Sequence, residues 1–263
     1  MPGFLLINPR SGSSSPSADE LAQEAQAYGV EPHVLKEGED AAALARDANA
    51  EVLAMAGGDG SLAPVAAVAI ERDTPFVCVP FGTRNHFARD LGLDRNDPIG
   101  ALRAFKGTER RIDLGRANDR PFLNNVSLGL YARLVHRREH HRRRREALAR
   151  VRAWATLITH RAPLGITIDG EAVETRLVLV ANNRYVIDFP TVGERERLDE
   201  GKLYLYVTAS DQTERSGERF VVDAAAGKLE AAVDGEPGVL ETPIDFRIEP
   251  RRLRVLVPPP DSG

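Results

Sequence analysis

The stretch Val52-Leu53-Ala54-Met55-Ala56-Gly57-Gly58-Asp59-Gly60-Ser61-Leu62 restricts the possible folds of this chain more than any other. A short apolar run, of the length of a buried strand, stops at three glycines around one aspartate. Leu62 to Ile70 then has helical composition, with Pro64 read as lying in the first turn, where a missing N–H is harmless. The glycines therefore sit between the end of a strand and the start of a helix. At such a place in an α/β sheet, unpaired N–H groups of the helix N-terminus face an anion. Glycine lets the backbone approach that anion closely and permits positive φ. Asp59 repels a phosphate unless a divalent cation or a substrate hydroxyl lies between them, so the economical reading is a nucleotide triphosphate with Mg²⁺ near Asp59. The alternative is a tight structural turn with a capping aspartate.

The rest of the first half repeats this organisation. Phe4–Ile7 is a strand ending at the small-residue loop Asn8-Pro9-Arg10-Ser11-Gly12, and Ala18 to Tyr28 is a helix stopped by Gly29. Pro32 to Lys36 is a strand, Asp40 caps a helix through Asn49, and Pro75 to Phe81 is a fourth strand. Strands and helices alternating at this spacing give a doubly wound parallel sheet that binds ligands at the carboxyl ends of its strands. Three loops leave that edge, at Asn8–Ser15, Gly57–Ser61 and Pro80–Asn85. Beyond Asp113 a long helix is expected from Leu128 to His160. Otherwise short strands take over: 164–169, 174–181, 203–209, 219–223, 229–234, 244–248 and 253–257. The expected fold is an α/β nucleotide-binding domain over residues 1–113 and a mostly antiparallel β-sandwich substrate domain over 114–263. The last strands are free to return to the first domain, and the cleft between the domains is the expected active site.

Composition sets limits on function. A net charge of −4 over 263 residues gives no general attraction to nucleic acid. The single cysteine, Cys78, excludes an internal disulfide and lies in an apolar run that reads as packing. No run of 18 apolar residues spans a bilayer, and Met1 to Asn8 reads as a strand rather than a signal peptide. The expected location is cytoplasmic or peripheral to a membrane.

Three segments in order, Asn8-Pro9-Arg10-Ser11-Gly12, Gly57-Gly58-Asp59-Gly60-Ser61 and Pro80-Phe81-Gly82-Thr83-Arg84-Asn85-His86-Phe87-Ala88-Arg89, resemble the catalytic domain of the diacylglycerol kinases. The resemblance is strongest to the soluble bacterial lipid kinases and extends to sphingosine and ceramide kinases. Ile112-Asp113-Leu114-Gly115, Asn125-Val126-Ser127-Leu128-Gly129, Leu198-Asp199-Glu200-Gly201-Lys202-Leu203 and Val233-Asp234-Gly235-Glu236-Pro237 continue it. The glycine–aspartate turn alone is shared with NAD kinases and phosphofructokinases; the Gly-Thr-x-Asn loop followed by Phe-Ala-Arg is more specific to the lipid kinases. The resemblance implies ATP, with Mg²⁺, as phosphoryl donor. It puts the nucleotide on Asn8, Ser11, Gly12, Gly57, Gly58, Asp59, Gly60, Ser61, Gly82, Thr83 and Asn85. It implies catalytic roles for Asp59 and Asp113 beside the metal and for Glu236 as proton acceptor. It also implies a structural metal at Arg197, Asp199, Glu200 and Lys202, the first and last through their carbonyls.

By the same resemblance the substrate is a lipid hydroxyl, diacylglycerol before others. The alternatives are a sphingoid base or other lipid, or a non-catalytic lipid-binding or regulatory protein that keeps the fold. The chain departs from the family pattern at His86 and Glu200, where aspartates are usual, and at Ala63-Pro64. Losing a carboxylate at His86 is expected to weaken Mg²⁺ binding, since imidazole is a poor Mg²⁺ ligand; a solvent-facing loop histidine is the alternative. Asp-Gly-Glu occurs twice, and Asp169-Gly170-Glu171 reads as a hairpin turn. The segment Arg133 to Arg152 carries arginines beside Leu134, Val135, Leu148 and Val151. Its expected partner is an anionic membrane surface, with a solvated helix as the alternative; no nucleic-acid motif accompanies it.

Overall fold

A computed structural model describes residues 2–11, 16–129, 163–188, 191–208 and 212–259. Two compact units emerge: Met1–Leu114 with Glu196–Glu200 and Glu249–Gly263, and Gly115–Arg195 with Gly201–Ile248.

The first unit alternates strands and helices: β1 (Gly3–Ile7), α1 (Ala18–Ala27), β2 (Val30–Val34), α2 (Ala41–Asp47), β3 (Val52–Gly57), α3 (Asp59–Glu71) and β4 (Phe76–Pro80). Then come α4 (His86–Asp90), α5 (Pro98–Ala101), a 3₁₀ turn at Leu102–Lys106, and β5 (Thr108–Ala117), whose last three residues lie in the second unit. The strand order is β2-β1-β3-β4, all parallel, and Val255 near the chain end pairs in parallel with Phe76. Every residue of β1, β3 and β4 is buried, which is why these strands read as unbroken apolar runs. Leu5, Ile7, Ala54 and Ala56 pack on one face with Leu21 and Ala25 of α1 and Ala101 of α5; α3, which packs on β3 and α2, takes no part in that cluster. The sheet is thus wound on both faces, as expected. Pro32 is tolerated because β2 is the sheet edge.

Local chemistry sets the helix boundaries. The Ser17 hydroxyl accepts the Glu20 N–H while the Glu20 carboxylate accepts the Ser17 N–H, closing a capping box on α1. Asp40 caps α2 through the N–H groups of Ala42 and Ala43. α3 begins at Asp59, three residues before the expected start, so Pro64 lies in its interior rather than its first turn. Cys78 is buried, and burial pushes its thiol up.

The second unit contains β6 (Arg120–Phe122), β7 (Asn125–Gly129), β8 (Ile166–Ile168), β9 (Glu171–Val173), β10 (Leu177–Asn182) and a small ladder of β11 (Ile187–Asp188) and β12 (Thr191–Val192). β13 (Leu203–Thr208), β14 (Gln212–Gly217), β15 (Arg219–Ala224), β16 (Lys228–Val233), β17 (Glu236–Glu241) and β18 (Ile244–Val257) follow. Six strands form an antiparallel sheet in the order β14-β13-β10-β7-β16-β17. Its inward residues, among them Val126, Leu128, Val180 and Leu205, share a core with Ile168, Phe220, Val222 and Phe246 from β8, β15 and β18. This is the expected antiparallel sandwich.

Two expectations are corrected here. Leu128 does not begin a helix: β7 is an inner strand, paired on both sides with β10 and β16. The rest of that expected helix, including Arg133–Arg152, lies outside the described residues. Strands expected at 244–248 and 253–257 are one strand, β18, which passes through Pro250. Arg251 takes a left-handed φ of 52° there and gives its N–H to the Asp113 carboxylate, so that donor stays paired.

Candidate functional site

The register of the parallel sheet brings the expected loops together. Ile7 of β1 lies opposite Ala56 of β3, and the Asn8 N–H donates to the Ala56 carbonyl at 2.9 Å. The loops after β1 and β3 therefore start side by side. Asn8 Nδ2 donates to Ser61 Oγ at 3.0 Å, and Ser11 Oγ lies 3.4 Å from the same oxygen. Strand order reverses between β1 and β3, since the chain moves outward to β2 and then crosses to β3. Such a switch point is where open α/β sheets hold ligands.

Gly58 is the N-cap of the 13-residue α3 and supplies no side-chain cap, so the first amides of the helix have no competing side-chain acceptor there. Neither Gly57, Gly58 nor Gly82 takes a positive φ, which corrects the conformational half of the argument for glycine. Close approach is the reason. A Cβ on Gly82 would lie 2.5 Å from Gly58 Cα, and one on Gly57 would lie 2.7 Å from Ser61 Cβ. Asn85, buried at φ 50°, accepts the Gly82 N–H at 2.8 Å and donates to the carbonyls of Gly82 and Arg95. Its carboxamide shapes the Gly82 loop. Thr83 is exposed, and Gly12 lies outside the described residues.

Asp59 is the first residue of α3, yet its carboxylate serves the next helix. It accepts the His86 N–H at 3.2 Å and the Phe87 N–H at 2.8 Å, at the start of α4. The carboxylate thus bonds the start of α4 from the neighbouring loop. His86 is half-buried rather than solvent-facing. Burial lowers its pKa; Asp59 and Asp90 raise it, and Arg89 and Arg84 lower it, leaving it below the ordinary histidine value. Near neutral pH the ring is uncharged. Arg89 donates to Asp90 Oδ1 at 2.8 Å, and the Asp90 side chain is fully buried.

Asp113, on β5, is 1% exposed and accepts the Arg251 N–H at 2.8 Å, while its own N–H donates to the Leu198 carbonyl at 2.7 Å. Asp199 Oδ1 accepts Nε and Nη2 of Arg197, both at 3.1 Å. Among the described residues no group of three or more His, Cys, Asp or Glu side chains is placed to hold a metal. Asp59 is the one carboxylate in the sequence of segments 8–12, 57–61 and 80–85. That set suits a Mg²⁺ ion carried mainly by phosphate and water, not an all-protein cage.

In the second unit Asp234 and Gly235, at φ 49° and 86°, form the two-residue turn between β16 and β17, and Glu236 opens β17. Asp169 and Gly170 make a similar turn between β8 and β9, at φ 53° and 86°. The anchoring of the two turns differs. Asp169 accepts one N–H in an exposed setting, from Val221. Asp234 is buried and accepts three, from Leu123, Asn124 and Asn125, at 2.8, 2.7 and 3.1 Å. The same segment is held on its acceptor side by Arg195, 3% exposed, which donates to the Leu123 carbonyl and Asn124 Oδ1 at 2.7 Å each. The Glu236 side chain is 56% exposed, with Arg120 Nη2 3.9 Å away. Crowding by neighbouring atoms nonetheless raises its pKa above the usual carboxylate value, against the lowering influence of Arg120. Sequence reasoning did not find Arg120 or Arg195. Nor does any loop residue named above line the cavity of about 330 Å³ bounded by Ala27, Tyr28, Arg103, Lys106 and Pro259.

Residues 2–117 match the family model described as diacylglycerol kinase catalytic domain. The diacylglycerol kinase of Bacillus subtilis (strain 168) is 29% identical over 143 residues, 50% of this chain and 47% of that protein. A Pseudomonas aeruginosa protein named "Probable lipid kinase YegS-like" is 33% identical over 137 residues, 50% of this chain and 45% of its own length. The chain thus aligns with about half the length of these curated relatives. A crystal structure of a diacylglycerol kinase from Bacillus anthracis str. Sterne superposes with a TM-score of 0.71 at 19% identity, covering 97% of this chain and 96% of that one. That likeness is one of fold. The resemblance drawn from the three loops holds over residues 2–117.

Proposed function

We propose that this chain is an ATP- and Mg²⁺-dependent lipid kinase whose substrate is a membrane lipid hydroxyl, diacylglycerol before others. One observation carries the reading: Asn8, Ser11 and Ser61 meet at the carboxyl ends of β1 and β3, beside the uncapped N-terminus of α3. Hydroxyls, a carboxamide and the start of a helix with no side-chain cap, in a switch-point crevice, are a donor set suited to a polyphosphate. Gly57, Gly58, Gly60 and Gly82 keep the backbone open to it, Thr83 adds a hydroxyl, and Asn85 holds the second loop in shape. Asp59 would hold Mg²⁺, which when bound neutralises charge on the phosphate oxygens.

In the reaction the lipid hydroxyl oxygen bonds to the γ-phosphorus, the bond to the β–γ bridging oxygen breaks, and ADP leaves. Glu236 takes the hydroxyl proton, and its raised pKa makes it a better acceptor than an ordinary carboxylate. Asp113, buried between β5 and residues 198 and 251, steadies this corner of the first unit. Contact with the bilayer is assigned by sequence to Arg133–Arg152. Sedimentation with anionic vesicles but not neutral ones is the expected result, and equal binding to both discards that assignment.

A second reading, a lipid-binding protein that has kept the fold, is favoured by one observation: the Asp59 carboxylate already caps α4. A radiolabelled-ATP assay against extracted lipids separates the two. Label is expected in one lipid class and lost in Asp59→Ala. Lipid binding without any label transfer selects the second reading.

A further inference from the structure

The family resemblance implies a structural metal at Asp199-Glu200, and the residues present do not fit one. Mg²⁺ requires a near-octahedral set of oxygen donors. Asp199 Oδ1 already accepts two N–H groups from the Arg197 guanidinium, both at 3.1 Å, and Arg251 Nη2 stands 4.0 Å from Oδ2. Backbone carbonyls beside this segment each accept one hydrogen bond and keep a second lone pair, so the guanidinium groups are what excludes an ion. The Leu198 carbonyl accepts the Asp113 N–H at 2.7 Å, and the Lys202 carbonyl accepts the Asn183 N–H at 3.0 Å. Two guanidinium groups beside one carboxylate repel a further cation.

We propose that Arg197, assisted by Arg251, fills at Asp199 the place of the structural metal, so that the folded chain is indifferent to divalent cations at this position. The arrangement is built for this. Leu198 is 3% exposed and tethers the segment to β5 by its carbonyl, while Arg251 reaches Asp113 through its N–H and Asp199 through its side chain. One arginine thus bonds the buried aspartate of β5 through its N–H and brings its guanidinium to 4.0 Å from the surface aspartate Asp199. A fixed positive charge of the chain's own does there what a bound ion would do. A guanidinium fork matches a carboxylate in geometry and keeps its charge at any working pH.

The test uses thermal unfolding of the full chain without nucleotide, in chelator and in millimolar Mg²⁺, Mn²⁺ or Ca²⁺. Asp59→Ala serves as a second background, to remove any ion at the phosphate loops. Both proteins are expected to melt at the same temperature with and without cations. Arg197→Gln, and the double variant Arg197→Ala with Arg251→Ala, are expected to melt lower in chelator and to recover several degrees when a divalent ion is added. The proposal is overturned by a cation-dependent rise in the Asp59→Ala background that Asp199→Asn removes. It is also overturned if both arginine variants stay indifferent to cations. Because no nucleotide or lipid enters the assay, these outcomes are independent of whether the chain transfers phosphate.

Discussion

Replacing Gly82 by alanine tests how the two glycine loops are fitted together. The added Cβ would stand 2.5 Å from Gly58 Cα and 2.9 Å from both Gly58 N and Asn85 Oδ1. An ordinary carbon contact begins near 3.4 Å, so the loops must part by about 1 Å. Two of the three atoms met are backbone, and the third belongs to the carboxamide that closes the loop, so none has a free rotamer to escape into. Overpacking of this kind costs about 1–3 kcal/mol. In a chain of this size that lowers the melting temperature by roughly 2–12 °C. A displacement of about 1 Å at a reacting centre also costs on the order of 10²-fold in rate. Gly58→Ala is the control, because its Cβ would meet only Gly82 Cα, at 3.7 Å, from an extended backbone that alanine adopts freely. Its melting temperature is expected within about 3 °C of native, since the change is worth less than about 1 kcal/mol. If phosphate passes over Gly58 as proposed, its KM for ATP should rise at least about tenfold, equivalent to ~1.4 kcal/mol, because the methyl stands in that path. Calorimetry and initial-rate kinetics on both variants check this. A Gly82→Ala protein that melts with the native one refutes the close fit, and a fully active Gly58→Ala refutes the phosphate path over that residue.

The other predictions concern charge. In the proposed mechanism Glu236 accepts the proton only when ionised, so activity should fall as pH drops through its raised pKa; Arg120 lowers that pKa, so Arg120→Ala should move the acid limb of the rate profile to higher pH. An unmoved limb separates the profile from Glu236, and normal turnover in Glu236→Gln removes its role altogether. His86 has a folded pKa below its unfolded value, so it contributes stability above about pH 6.5 that is lost as pH falls toward the folded value. Melting curves of His86→Gln should be flatter over that window than those of native protein, and parallel curves contradict the buried neutral ring. His86→Asp should saturate with Mg²⁺ at lower concentration in the activity assay, because it restores an oxygen ligand beside Asp59. Asp234→Asn turns an amide NH₂ toward backbone N–H groups that now meet a carboxylate, and should cost about 1–3 kcal/mol and lower kcat. Asp169→Asn, at the similar but exposed turn, should change melting little; equal losses in both refute the special anchoring of Asp234.

What the sequence revealed followed from local physics. The strand before Gly57, the loops after β1, β3 and β4, and the hairpin at Asp169-Gly170 are written in short apolar runs and turn residues. The partners of the polar side chains were not legible, because they come from distant segments. Asp59 reads as a cap of its own helix or a metal ligand, yet it reaches 27 and 28 positions along the chain to His86 and Phe87. Arg195 lies between Glu194 and Glu196, and is 3% exposed because it serves carbonyls 13 and 72 residues away. Pro250 reads as a strand end; only the approach of Asp113 shows how β18 continues past it. Sequence marks the candidate residues for phosphate chemistry, and tertiary contacts show which of their atoms already have partners.

Amide chemical shifts of the full chain, recorded during titration with Mg²⁺ and a non-hydrolysable ATP analogue, test the central claim most directly. The account predicts that the largest changes fall on residues 8–11, 57–61 and 82–87, with the His86 and Phe87 amides reporting any movement of Asp59. Changes confined to Tyr28, Arg103 and Lys106 around the 330 Å³ cavity, with the three loops silent, would contradict it.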